Sequence, residues 1–146
     1  MGTEPAVSVS DYAKFFKPNA GGESAAELIG AAEACLDGFT ACFNARDRAG
    51  MDRHLHFPHV MFSGAAQLVW ERPGQLPDDF FDKLLETGWA KSVYEEKQPI
   101  LVSPDKIHFR VRYTRCTMDG RVLSEHENIW IVTRIDGRWG IALRSY

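Results

Sequence analysis

Residues 106–145 read KIHFRVRYTRCTMDGRVLSEHENIWIVTRIDGRWGIALRS. Runs rich in β-branched and aromatic residues are broken at Asp119-Gly120 and at Asp136-Gly137. Asp-Gly between alternating runs is a strong hairpin signal, because these residues tolerate the positive φ angles of tight turns. The stretch therefore reads as consecutive antiparallel strands near residues 106–118, 122–134 and 138–145. Another strand, near 91–102, precedes them across the break Ser103-Pro104-Asp105.

If both turns hold two residues, the register follows by counting. The first pairs Phe109 with Trp130, Val111 with Asn128 and Tyr113 with His126, while Arg112 meets Glu127 on the other face as an opposite-charge pair. The second pairs Trp130 with Leu143, Val132 with Ile141 and Asn128 with Ser145. The face of Phe109, Trp130 and Leu143 is expected to be the inner one, turning polar at Tyr113, His126, Asn128 and Ser145. The outer face would carry Arg110, Arg112, Glu127 and Arg144, with Cys116, Leu123, Ile129, Ile131 and Ala142. A bulge at either turn would exchange the faces over part of this assignment.

Toward the N-terminus the period changes. Ser24-Ala25-Ala26-Glu27 has the form of a capping box. It opens a long helix in which Leu28, Ala32, Cys35, Leu36, Phe39, Cys42 and Phe43 recur at three- and four-residue steps. Gly50 is the expected C-cap, with a short second helix from Asp52. His59–Phe62 and Gln67–Glu71 read as short strands around Ser63-Gly64. Pro77, Asp78 and Asp79 start a third helix whose buried side is Phe80, Phe81, Leu84 and Leu85, ending at Gly88. Residues 1–22 read as an arm in which Tyr12, Phe15 and Phe16 could dock on the body, and residues 23–146 as a single domain.

The chain has 146 residues, 45% of them hydrophobic and 12% aromatic, enough for one core. The formal net charge is -3 and no basic stripe appears, which argues against nucleic acid as a partner. Apolar runs fall short of the roughly 20 residues a membrane helix needs, so no membrane partner is expected. MGTEPAVSVS lacks a basic region followed by an apolar one and reads as no signal peptide. Cys35 and Cys42 would share a helix face about 10 Å apart, too far for a disulfide. Together with Cys116 they read as reduced thiols of a cytoplasmic protein.

The order of elements resembles the nuclear-transport-factor-2-like superfamily, and within it the SnoaL-like (polyketide-cyclase-like) small domains. The resemblance is carried by Leu55-His56-Phe57-Pro58-His59-Val60, by Arg112-Tyr113 through Asp119-Gly120, and by Thr133 to Ile141 with Arg144-Ser145. It spans residue 24 to the end. It implies an α+β fold: a cone-shaped, curved, antiparallel or mixed sheet wrapped around the long helix (a cystatin-like roll), with a pocket at the wide mouth. Members include isomerases, dehydratases, hydrolases, ligand binders and interaction modules, so fold alone assigns no activity. Ser63 stands where the steroid-isomerase members need a carboxylate base. The Asp-Arg-Asp set of the limonene-epoxide-hydrolase members finds no match.

His54, His56 and His59 could suggest a metal site, but Pro58 interrupts the segment and no second ligand cluster follows, so neither metal nor cofactor is expected. The catalytic candidates are His56 at the pocket mouth and His126 beside Tyr113, an imidazole–phenol pair able to donate to a carbonyl and move a proton. The competing reading of each histidine is a ring bonded to a backbone carbonyl. Phe43, Trp70, Asn128 and Trp130 are the ligand-binding candidates, against simple core packing for the aromatics and a structural network for the amide. The expected function is binding of a small hydrophobic, carbonyl-bearing molecule, with isomerase, dehydratase or cyclase chemistry as its catalytic form. The alternative is a dimeric scaffold with a vestigial cavity. A homodimer through the outer sheet face is expected in either case.

Overall fold

The computed structural model describes Phe15 and residues 21–146. Helix α1 (Ala25–Asn44) is followed by α2 (Arg48–Arg53), β1 (Leu55–Ser63), β2 (Ala66–Trp70), α3 (Phe80–Glu86), β3 (Lys91–Ser103), β4 (Lys106–Cys116), β5 (Val122–Ile135) and β6 (Arg138–Ser145). The strands form one curved sheet in the order β2-β1-β6-β5-β4-β3. The β1–β6 pairing is parallel and the others are antiparallel. This is the expected α+β roll. The proposed anchor residues Tyr12 and Phe16 lie outside the described residues.

Helix α1 starts where the capping box placed it. Ser24 Oγ accepts from Glu27 N, and Glu27 Oε2 accepts from Ser24 N at 2.9 Å. Its buried stripe is Leu28, Ala32, Cys35, Leu36 and Phe39. Its end corrects the sequence reading. The helix stops at Asn44, Arg46 takes φ 59°, and Asp47 caps α2 by accepting from Gly50 N at 3.0 Å. Gly50 is thus inside α2, and a Cβ there would stand 2.3 Å from Asp47 Oδ2 and 2.6 Å from Cys42 Sγ. Helix α3 begins later than expected and leaves Leu85 40% exposed, while Phe81 and Leu84 are buried.

The β4–β5 register is the counted one: Phe109 faces Trp130, Val111 faces Asn128, Arg112 faces Glu127 and Tyr113 faces His126. The turn is longer than two residues, but a compensating shift at Cys116 and Val122 restores the count. The β5–β6 turn is tight, with Asp136 at φ 52° and Gly137 at φ 78°.

Further along β6 the register slips by one residue, between Val132↔Ile141 and Ile131↔Leu143. Ala142 is the extra residue of a bulge, and beyond it the faces exchange. Trp130 therefore faces Arg144 rather than Leu143, and Ser145 faces Ile129 rather than Asn128. Arg144, expected outside, is buried on the inner side, and Leu143 moves to the outer row beside Ile131. At its other end the outer patch is smaller than expected, because Cys116 is buried and Leu123 packs against the core near Gly88. No described helix is long and apolar enough to cross a membrane.

Candidate functional site

Beyond the closed core, α1, α3 and the inner sheet face diverge around a cavity of about 350 Å³. Phe39, Thr40 and Phe43 reach it from α1, Trp70 from β2, Phe80 from α3, Tyr94 from the edge strand β3, and Tyr113 and Trp130 from β4 and β5. Arg144 and Arg115 also line it, and among the described residues the wall contains no aspartate, glutamate or histidine. The rings meet at steep angles: Phe39 and Trp130 centroids lie 5.8 Å apart at 87°, and Tyr94 and Trp130 6.2 Å apart at 73°. Edge-to-face packing is a preferred aromatic arrangement.

Hydrogen bonds fix these rings. Thr40 Oγ1 donates to the Tyr94 hydroxyl at 2.7 Å, which donates to the Leu36 carbonyl at 3.0 Å. Asn44, at the end of α1, clamps Ser92 of β3 by exchanging bonds with its carbonyl and N–H at 2.9 and 2.8 Å. Trp89 Nε1 donates to Ser92 Oγ at 3.0 Å. Burial pushes the phenols of Tyr94 and Tyr113 above the usual tyrosine range, so both stay protonated near neutrality. Asn128 is buried beside Tyr113, close enough for its amide to act on that phenol, but its Nδ2 makes no hydrogen bond of full geometry among the described residues.

Arg144 joins the cavity to β1. Its Nε donates to His59 Nε2 at 2.9 Å, Nη1 donates to the Tyr146 hydroxyl at 3.0 Å, and Nη2 lies 3.2 Å from Met61 Sδ. The guanidinium stands 5.0 Å from the centre of the Phe39 ring and 5.8 Å from that of Trp70. A guanidinium only donates, so His59 Nε2 accepts and its protonated Nδ1 donates to the Ile141 carbonyl at 2.9 Å. Burial, reinforced by the charge of Arg144, pushes the His59 imidazole down to about 3.

The three clustered histidines are engaged with backbone carbonyls. Five residues of β1 advance while β6 advances two between Leu55↔Ile141 and Val60↔Leu143, so the backbone arches away from the ladder. Imidazoles take up the carbonyls there. His56 Nδ1 accepts from Arg138 Nη2, and its Nε2 donates to the carbonyls of Thr133 and Arg138 at 3.1 and 3.0 Å. Gly140 makes room for that ring: a Cβ would come within 2.7 Å of it. His54 Nδ1 bonds the Gly50 carbonyl at 2.7 Å.

The structure thus gathers part of the expected site. Phe43, Trp70, Tyr113 and Trp130 line the cavity; His56, His126 and Asn128 do not. His56 is excluded by its carbonyl bonds. His126 stacks on Tyr113 with centroids 4.8 Å apart at 14°, and its Nε2 shares a 2.8 Å bond with Ser124 Oγ, so it supports the tyrosine from outside the wall. Sequence reasoning missed Tyr94 and Arg144. Alternation from Ser92 could have indicated Tyr94; nothing local marks Arg144.

No family model matches the chain, and no curated protein matches it. Solved structures do. An NTF2-like protein with a cystatin-like fold from Novosphingobium aromaticivorans superposes with a TM-score of 0.64 at 13% identity, over 94% of this chain and 88% of that one. A ketosteroid isomerase-like protein from Erwinia carotovora atroseptica gives 0.56 at 19% identity, over 82% and 93%. A cystatin-like-fold protein from Nostoc punctiforme gives 0.62 at 12% identity, over 77% and 84%. At these identities the likeness shows the fold, which is NTF2-like, as the order of elements implied.

Proposed function

We propose that the domain binds a hydrophobic, carbonyl-bearing small molecule in this cavity. The observation that carries the reading is an open, ring-lined space of about 350 Å³ on the inner sheet face, within the range of small-molecule sites. A vestigial cavity would be packed shut by the same rings. The protonated phenol of Tyr113 offers a hydrogen bond to a ligand carbonyl, and Phe43, Trp70 and Trp130 offer apolar surface. Isomerase chemistry at a carbonyl needs a base at the adjacent proton. Among the described residues the wall supplies no aspartate, glutamate or histidine side chain, and Ser63 is exposed at the end of β1. The reading is therefore a binding protein rather than an isomerase.

The test is titration with 2-acetonaphthone, a neutral aromatic ketone, followed by tryptophan fluorescence and calorimetry. Saturable one-to-one binding is expected, weakened roughly tenfold, about 1.4 kcal/mol, by Leu68→Trp at the exposed part of the wall. Absence of saturation up to millimolar ketone would overturn the reading.

We also infer a homodimer through the outer sheet face. Ile129, Ile131 and Leu143 are adjacent there and half-buried, and Arg110 with its partner Glu127 borders them. The three cysteines are free, in keeping with a cytosolic location.

A further inference from the structure

Resting on the binding role just proposed, we propose that the ligand is an anion: an apolar body ending in a carboxylate, held head-in against Arg144. Arg144 lines the cavity and is only 5% exposed. None of the ion pairs among the described residues involves it, and among the described residues no aspartate or glutamate side chain lines the cavity. Its partners are an imidazole, a phenol and a thioether. Buried charges are ordinarily paired.

The remaining donors fit such a head group. A guanidinium carries five N–H hydrogens. Nε spends its one on His59, and Nη1 and Nη2 each direct one to Tyr146 and Met61. One hydrogen remains on each terminal nitrogen, the complement a carboxylate takes in a bidentate pair. The neighbouring rings of Phe39, Trp70 and Trp130 attract the cation through their faces without neutralising it. His59 does not neutralise it either, since it is a neutral acceptor. The site is also pre-set. The bond to His59, which is tied to Ile141 in turn, holds the guanidinium in place before a ligand arrives. Arg115, half-buried in the same wall with its Nε unpartnered, adds positive potential.

The experiment compares 2-naphthoate with 2-naphthamide, which share one apolar body and differ in the charge of the head, on the full chain by calorimetry at low and moderate salt. Wild type is expected to bind the carboxylate at least tenfold more tightly. Arg144→Gln is expected to erase that preference. Arg144→Lys is expected to keep part of it, and Arg115→Gln most of it. Circular dichroism reports whether each variant folds. If Arg144→Gln does not fold, the wild-type preference and the Arg144→Lys and Arg115→Gln pair decide. Equal wild-type affinity for the two naphthalenes overturns the proposal, and so does a preference that Arg115→Gln abolishes and Arg144→Lys leaves intact. Either result leaves the binding role standing if the ketone still binds. Failure of the ketone and both naphthalenes to bind overturns the two readings together.

Discussion

The inner sheet face is built in two ways within a few residues along the same strands. At one end Ile107, Phe109, Val111, Val132 and Ile141 are wholly buried against Leu36 and Leu55. At the other, Tyr113, Trp130 and Arg144 surround an open cavity. The difference is one of shape and tethering. Branched aliphatic chains interdigitate to the density of an organic crystal. Flat rings set edge-on, tied through Tyr94 to Leu36 and through Arg144 to His59, cannot close up to fill the space. The void persists because its walls are held, not because residues are missing.

The largest effect should come from breaking the closed end. Phe109→Ala is expected to cost roughly 3–5 kcal/mol in urea unfolding. A loss below about 1 kcal/mol would mean that this end is as loosely filled as the cavity.

Acid should act on the tethers of the open end. The unfolded chain takes up a proton on histidine near pH 6.5, whereas folded His59 does so only near 3. Between those values the unfolded state binds more protons, so stability is full above about pH 6.5 and falls as pH falls toward 3. The slope for one such group is about 1.4 kcal/mol per pH unit in mid-window. His56, also lowered mainly by burial, adds with the same sign. His59→Gln can keep both hydrogen bonds without titrating, and urea unfolding of this variant between pH 7 and 4 should be flatter than wild type. Equal slopes would exclude His59 as the sensor.

The smallest effect should come from the opposite face. Ile131→Glu is expected to change the stability of the monomer by roughly 1 kcal/mol or less, while light scattering moves from dimer to monomer. A wild-type chain that is monomeric at micromolar concentration would refute the inferred dimer.

The fold was legible where the signal is local. The capping box at Ser24 places α1, and the Asp-Gly turns place the breaks between β4, β5 and β6, although the β4–β5 count holds only through the compensating shift at Cys116. The bulge at Ala142 was not legible, because Ile-Ala-Leu-Arg continues a regular alternation and has no glycine or proline to mark an extra residue. That one residue decides whether Arg144 meets water or the cavity. For a related reason the sequence left open whether the histidines face the pocket or bond backbone carbonyls. Their carbonyl partners at Thr133, Arg138 and Ile141 lie across a parallel pairing that is remote in sequence. Phe43, Trp70, Tyr113 and Trp130 were legible because large rings on a sheet face beside a helix have few other places to go.

Among the described residues the sheet ends on one side at β3, a strand of 13 residues that pairs only with β4. Its outer end carries the exposed side chains of Ile100, Leu101 and Val102, a sequence suited to recruiting another chain into a fibril. The register of β3 shifts between Tyr94 and Glu96 and again between Pro99 and Leu101, and Pro99 has no N–H to donate. An incoming strand would therefore meet an interrupted ladder, and the apolar end of β3 is guarded against edge-to-edge aggregation by its own irregularity.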